Sequence, residues 1–133
     1  MNDIFLDTVG LIAVWDTTDQ WHGAANAAYR KLLSQGNRLF TTSAVLLECG
    51  NAASRRPYRL RVNALRAILI QEQLVLEPTV QDIEDAWTAY DRGDAGQAGI
   101  VDQISFVVMR RSGILDAFTN DHHFQAGGFA TLF

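Results

Sequence analysis

Five short apolar segments, separated by stretches with helical spacing, constrain the fold of this chain more than any other feature. The first runs from Ile4 to Leu6 and is followed by Asp7-Thr8. Short strands that alternate with helices of about a dozen residues predict a parallel sheet with helical crossovers. Because the segments are continuously apolar, both faces of that sheet are expected to be covered. The other predicted strands are residues 38–41, 74–78, 115–119 and 129–133.

The stretches between these strands repeat apolar residues at the period of a helix. Residues 91–99 are small, polar and rich in glycine, so they predict a loop. Large apolar side chains at helical spacing are most simply core residues, and Trp15, Trp21, Trp87, Phe106 and Met109 are predicted as such. The predicted helices are residues 9–14, 24–33, 44–54, 60–69, 80–90 and 100–111.

Length and cysteine usage suit one intracellular domain. The chain has 133 residues, which is enough for one domain with one core that needs no disulfide. Cys49 is the only cysteine, and this fits a reducing compartment. No apolar run approaches the ~20 residues of a membrane helix, and Asp3 and Asp7 interrupt any apolar leader. We therefore expect a single domain over residues 1–133, with no membrane association and a cytoplasmic location.

The positive charge of the chain is concentrated in one strip. The net charge of −4 argues weakly against a general nucleic-acid binder, since phosphates are bound by Lys and Arg. Within residues 49–71, however, there is no acid, and the planar guanidinium of arginine suits phosphate pairing. The strip is interpreted either as an RNA contact or as a solvated or partner-facing helix. It consists of Arg55, Arg56, Arg59, Arg61 and Arg66.

Acidic residues lie where a parallel sheet exposes groups to one cleft. Asp7 ends the first predicted strand and Asp121 follows the fourth, while Glu48 and Asp102 lie in helices that follow strands or loops. A carboxylate in an apolar segment such as 100–108 is costly unless it is paired or binds a metal ion. The plainer interpretation is that Asp7 and Asp121 are turn residues, Asp102 caps a helix and Glu48 is solvated.

Converging carboxylates favour a hard divalent cation. Oxygen ligands without the Cys and His spacing of a zinc site indicate Mg²⁺ or Mn²⁺. Such an ion neutralises the acids, orients a water molecule and shields charge on a phosphate. The chemistry that this acid set indicates is hydrolysis of a phosphodiester bond.

Three segments carry a resemblance to a known family. Residues 4–8 (IFLDT) resemble the opening strand of PIN domains, and residues 41–48 (TTSAVLLE) resemble their second motif. Residues 100–109 (IVDQISFVVM), followed by 119–124 (TNDHHF), resemble the C-terminal half of VapC-like toxin ribonucleases. The similarity spans essentially the whole chain, with its motifs in order, so we identify the chain as resembling a VapC-like PIN domain.

This resemblance implies a three-layer α/β/α sandwich around a parallel sheet of four to five strands. It also implies an Mg²⁺- or Mn²⁺-dependent endoribonuclease that acts as the toxin of a toxin–antitoxin pair. The family's metal-binding and catalytic acids correspond to Asp7, Glu48, Asp102 and Asp121, with Thr8 and Ser43 as polar neighbours that orient a carboxylate or water.

The resemblance implies partners as well as a site. RNA is the implied substrate, a cognate antitoxin would cover the groove around residues 48–66, and a homodimer is the common assembly. One departure is visible, because the family often has an acid and a serine where this chain has Gln97-Ala98-Gly99. Loss of the serine removes a helix cap but none of the four main acids. If the missing acid helps to bind a second metal ion, this chain would hold one ion firmly and a second only with substrate.

Three alternatives stay open at this stage. The chain could be a non-toxin PIN-fold RNA-processing nuclease, or a catalytically silent PIN module that binds RNA or protein. A haloacid-dehalogenase-like phosphatase is disfavoured, because that family needs an aspartate two residues after its nucleophile and Val9 stands there.

Overall fold

A computed structural model describes residues 2–133, which contain four strands and eight helices. The strands are β1 (Asp3–Leu6), β2 (Arg38–Phe40), β3 (Asp116–Phe118) and β4 (Ala130–Thr131). The helices are α1 (Thr8–Trp15), α2 (His22–Ser34), α3 (Ser43–Ala53), α4 (Arg59–Gln71), α5 (Val80–Arg92), α6 (Asp94–Gln97), α7 (Ile100–Ser112) and α8 (His122–Ala126).

The strands form one parallel sheet in the order β2-β1-β3-β4. Ile4 pairs with Leu39 on one side and with Asp116 on the other, so β1 is a central strand. The chain crosses from β1 to β2 in one direction and later returns to β3 on the opposite side. The carboxyl ends of β1 and β3 therefore flank the switch point at which α/β sheets bind ligands.

Helices cover both faces of this sheet. Ile4, Phe5 and Leu6 are all buried, and successive strand residues point to opposite faces, so each face has a helical layer against it. This confirms the predicted three-layer α/β/α architecture with a parallel sheet. Within residues 2–133, no helix is long and apolar enough to cross a membrane.

The third predicted strand, residues 74–78, is not a strand in the structure. It makes one parallel bridge, between Val75 and Thr41, with hydrogen bonds from the Thr41 N–H to the Leu74 carbonyl and from the Leu76 N–H to the Thr41 carbonyl. Two features shorten the pairing. Gln73 has a φ of 59°, which turns the chain out of α4, and Pro78 has no N–H to donate.

Two of the predicted core tryptophans lie at the surface. Trp15, Phe106 and Met109 are buried as predicted, but Trp21 is 47% exposed and Trp87 is 46% exposed. Trp21 precedes the first residue of α2 as its N-cap, so the helical period does not apply to it. Trp87 does lie in α5, but the buried face of that helix is formed by small residues such as Ala86 and Ala89.

Gly10 permits the close approach of α1 to β3 on which the site geometry depends. A Cβ atom at Gly10 would lie 2.7 Å from the Phe118 Cδ2 atom and closer still to the Phe118 carbonyl oxygen.

We predict that Gly10→Ala lowers the free energy of unfolding by about 3 kcal/mol, because the backbone must shift to relieve the clash. Gly50→Ala in α3 is the matched control, since its Cβ meets nothing within 4 Å. It should be neutral or stabilising by about 0.5–1 kcal/mol in urea denaturation, and equal effects of the two variants would contradict the interpretation.

Candidate metal centre

The adjacent ends of β1 and β3 place Asp7 beside Thr119. Leu6 pairs with Phe118 in the sheet, so the next residues of the two strands face each other. The Thr119 hydroxyl donates a hydrogen bond of 2.8 Å to the Asp7 Oδ2 atom and accepts one of 3.1 Å from the Asp121 N–H. One buried threonine therefore connects the first and the last of the four predicted acids.

Three of these four acids lie at helix N-termini. Asp7 is the N-cap of α1 and accepts from the Val9 N–H, and Asp121 is the N-cap of α8 and accepts from the His123 N–H. Asp102 lies in the first turn of α7. The partial positive charge of a helix N-terminus favours carboxylates at these positions. Glu48 is the exception, since it lies in the middle of α3 and is half-buried.

The acids are close enough to raise the cost of ionising one another. Burial, and then the charges of Asp102 and Asp121, raise the pKa of Asp7 to about 7, against the opposing hydrogen bonds of Thr119 and Thr8. Burial and the charges of Asp121 and Glu48 raise the pKa of Asp102 to about 6. Within residues 2–133, no lysine or arginine forms an ion pair with Asp7, Glu48 or Asp102.

A histidine completes the edge of this acid cluster. The His123 ring nitrogen Nδ1 lies 2.8 Å from Asp121 Oδ1, and the positive charge of this ring lowers the pKa of Asp102. In the described part of the chain, only Asp121, His122 and His123 have ligand atoms that all lie within 4.8 Å of one another. The carboxylate oxygens of Asp7, Glu48 and Asp102 therefore do not form a group of three within this distance of one another.

This donor set fits a divalent cation. Asp7 is only 1% exposed, and no lysine or arginine among residues 2–133 pairs with it, so most of the repulsion is left uncompensated. Mg²⁺ retains several waters in proteins and needs few direct carboxylate ligands, so acids spaced more widely than a closed cage can still hold it. Asp7 and Asp102 each feel the charge of Asp121, and Asp102 also feels that of Glu48, so these four acids are the candidate ligands of such an ion.

The polar neighbours of the acids differ from those expected from the sequence. The expectation for Ser43 was wrong, because its hydroxyl donates to Glu77 Oε2 at 2.8 Å and not to the acid cluster. Thr8 lies next to Asp7, but its buried hydroxyl has no hydrogen-bond partner within residues 2–133. Thr119 takes the positioning role instead. Its sequence signal is its place two residues before Asp121, at the end of a predicted strand.

The departure at residues 97–99 has a structural counterpart at the start of α7. Gly99 occupies the N-cap of α7 and provides no side-chain cap. The preceding α6 turn contains residues with left-handed backbone, Ala95 and Gln97 among them, and the Gln103 side chain donates to the Asp94 carbonyl at 2.9 Å. The start of α7, which carries Asp102, is thus tied down by Gln103 rather than by a capping serine.

Comparisons with known proteins agree with this geometry. The sequence model of the PIN domain matches residues 4–129. The chain is 33% identical over 130 residues to the 23S rRNA-specific endonuclease VapC20 of Mycobacterium tuberculosis, covering 97% of each chain.

Solved structures of VapC proteins match the chain as well. The crystal structure of M. tuberculosis VapC20, described as a sarcin-ricin loop cleaving toxin, matches with a TM-score of 0.79 and 31% identity over 96% of each chain. A structure of DNA-bound VapBC from Salmonella typhimurium matches with a TM-score of 0.63 over 98% of this chain and 97% of that chain, and its 20% identity supports the fold alone.

The raised pKa of Asp7 predicts that the metal-free protein loses stability as the pH rises. Between the ordinary pKa of 3.8 and about 7, folded Asp7 holds a proton that the unfolded chain has released. The free energy of unfolding should therefore fall across this interval, by up to about 4 kcal/mol from Asp7, and become flat above it. The measurement is urea denaturation in EDTA over a pH series.

Two variants separate this effect from general charge effects. Asp7→Asn should flatten the slope between pH 4 and 7, whereas Asp85→Asn, on the exposed surface of α5, should leave it unchanged. Added Mg²⁺ or Mn²⁺ should restore stability above the pKa of Asp7 and have little effect below its ordinary value. Asp102 should leave a smaller slope below about pH 6 in Asp7→Asn, and a slope as steep as that of wild type would contradict the assignment.

Proposed function

The chain belongs to the PIN-domain family, and from this premise we propose that it is a metal-dependent endoribonuclease that acts as the toxin of a toxin–antitoxin pair. The observation that carries the proposal is the set of mutually repelling carboxylates at the β1–β3 switch point, of which Asp7 is fully buried. A buried acid cluster of this kind is destabilising unless a cation is bound, so its presence points to a metal-dependent reaction. The similarity to the endonuclease VapC20 over 97% of the chain supports the same reaction.

We assign the metal-binding and catalytic roles to Asp7, Glu48, Asp102 and Asp121. Thr119 and the Val9 N–H orient the Asp7 carboxylate, and the His123 N–H and ring orient that of Asp121. A divalent ion bound by these acids would supply Lewis-acid activation of a water molecule and charge stabilisation on the phosphate. Asp102, with its pKa raised to about 6, is largely ionised at neutral pH and is available as a ligand.

The ion is proposed to be Mg²⁺ or Mn²⁺. The acids offer only hard oxygen atoms, which suits both ions. His123 lies on Asp121, and imidazole adds a ligand type that Mn²⁺ accepts more readily than Mg²⁺ does. Activity with Mn²⁺ is therefore expected to equal or exceed activity with Mg²⁺.

RNA is the proposed substrate, and the similarity to a 23S rRNA-specific endonuclease makes a ribosomal RNA loop the first candidate. Sequence-specific recognition of RNA targets loops and single strands, whose bases are accessible. A loop substrate also fits an acid cluster that is open at the sheet edge, where Asp121 and His123 are only partly buried.

The proposed partners are a cognate antitoxin and a second copy of the chain. A cavity of about 220 Å³ between α3 and α4 is lined by Leu47, Ile70 and Val75, next to Glu48, and Leu47 is 72% exposed. This groove, whose lining also contains Ser43, Arg66 and Glu77, suits an antitoxin segment with both apolar and charged side chains. We keep the single domain over residues 1–133 and the cytoplasmic location as proposals, the latter supported by the single buried thiol of Cys49.

RNA cleavage should require the ion and the acids. Purified protein, freed of any partner, should cut a ribosomal RNA fragment in Mg²⁺ or Mn²⁺ and lose activity in EDTA. Asp7→Asn should lower the rate by at least about 100-fold and relieve growth inhibition on expression, because the central ligand is lost. Asp85→Asn should behave as wild type. Full cleavage in excess chelator, or a wild-type rate in Asp7→Asn, would reject the mechanism.

Thr119 should act as a positioning residue through its hydroxyl. Thr119→Val keeps the shape but removes the donor to Asp7 and the acceptor for the Asp121 N–H. We expect about 10–100-fold weaker activation by Mn²⁺, measured as the concentration giving half-maximal rate, because a hydrogen bond to a ligand carboxylate fixes its orientation toward the ion. Thr119→Ser should retain most of the activity. Equal loss in both variants would show that packing, not the hydroxyl, is responsible.

A further inference from the structure

A second cavity lies at the far end of α1 from the acids. Its volume is about 290 Å³, close to the lower limit of ordinary ligand pockets. Trp15 and Tyr58 form its apolar wall, with ring centroids 6.4 Å apart and an interplanar angle of 30°. Both aromatic residues are buried, so the wall is rigid. The polar side chains that line the cavity include Asp16, Thr17, Arg56 and Arg61.

Arg56 is held in place at the rim of this cavity. Its guanidinium donates to Asp16 Oδ2 at 3.0 Å and lies 6.0 Å from the Tyr58 ring centroid. Asp16 is itself fixed by hydrogen bonds from the Thr18 hydroxyl and N–H, at 2.7 and 3.0 Å. An arginine held by one carboxylate retains free N–H donors, because the guanidinium has five.

Arg61 supplies positive charge that the protein does not neutralise. Its guanidinium is exposed and forms no hydrogen bond or ion pair with the described residues 2–133. Asp16 is the only acid in the lining, and Arg56 offsets its charge, so the cavity carries a net charge of about +1 from Arg61. The cavity is therefore suited to an anion despite the carboxylate at its edge.

We infer that this cavity is an accessory subsite that binds a backbone phosphate of the RNA substrate, through Arg61 and the fixed Arg56. The inference rests on the proposed ribonuclease function. Asp7 caps the beginning of α1 and Asp16 caps its end, so these two cap residues, one in each site, are about 13 Å apart along the helix axis. That distance corresponds to about four nucleotides of a stacked strand, at ~3.4 Å each.

An RNA phosphate accounts for this site better than an acidic side chain of a protein partner. The apolar groove between α3 and α4 is a separate cavity, and none of its lining residues also lines the Arg61 cavity. The accessible edges of Trp15 and Tyr58, together with Pro57, further provide an apolar surface for the ribose that accompanies a phosphate. A protein carboxylate would use the arginines but leave this wall without a partner.

The test compares RNA affinity in two single-charge variants. The probe is a short fluorescein-labelled RNA copy of a ribosomal loop, titrated in EDTA so that it is bound but not cut, at salt concentrations from about 50 to 200 mM. Arg61→Ala should weaken binding about fivefold near 0.1 M salt and reduce the slope of log K against log salt by about 0.7, the value for one phosphate contact on a single strand. Arg61→Lys should show a smaller loss of RNA affinity and a smaller reduction of the salt slope.

Arg55→Ala is the matched control. It removes the same charge from the same strip, but Arg55 does not line the cavity. Its affinity and salt slope should stay near those of wild type. Equal losses in Arg55→Ala and Arg61→Ala would show diffuse electrostatic attraction and overturn the subsite.

The remaining outcomes separate the subsite from the proposed function. If wild type neither binds nor cuts RNA, both ideas fail. If wild type binds but Arg61→Ala binds equally well with the same slope, only the subsite fails. Weaker binding of a co-expressed antitoxin by Arg61→Ala, with unchanged RNA affinity, would assign the cavity to the protein partner and overturn the inference.

Discussion

The burial of the Asp7 carboxylate at the junction of β1 and β3 is the constraint on which the rest of the site depends. Few neighbours compensate this charge, because only the Thr119 hydroxyl and backbone N–H groups donate to it, while Asp102 and Asp121 repel it. The fold tolerates this arrangement because Asp7 directly follows β1, which pairs with β3 and is covered by helices on both faces. The instability of the metal-free acids is thus the same property that gives the site affinity for a cation.

Parallel sheet topology and helix ends together explain why acids from distant parts of the chain meet. The strand order β2-β1-β3-β4 brings residues 7 and 119 into register, although 112 positions separate them in the sequence. α1, α7 and α8 begin at the acid cluster and carry Asp7, Asp102 and Asp121 at or near their first residues. Their N–H groups and dipoles offset part of the repulsion. The remaining repulsion is left for an ion to neutralise.

Much of the fold was predictable because its pattern is local. The apolar segment before Asp7, the helix after its cap Thr79 and the apolar helix from Ile100 each show their own hydrophobic pattern, and the structure contains all three. Predictions failed where the outcome depended on a partner surface. Residues 74–78 have a strand composition but meet only Thr41, and Trp87 has core spacing but faces no covering layer within residues 2–133.

The sequence alone determined the α/β class and supplied the four acids that we propose as ligands, since periodicity and the order of the motifs are properties of the linear chain. Only the tertiary structure decided which polar groups support those acids. In the sequence, Ser43 and Thr119 are equally plausible as hydroxyl groups that orient an acid. In the structure, the Ser43 hydroxyl faces Glu77 at the surface, and the Thr119 hydroxyl faces Asp7 in the interior. The same holds for the arginine strip, in which Arg56 is paired with Asp16 and Arg61 is not. Such distinctions depend on contacts between residues far apart in sequence, which no local pattern encodes.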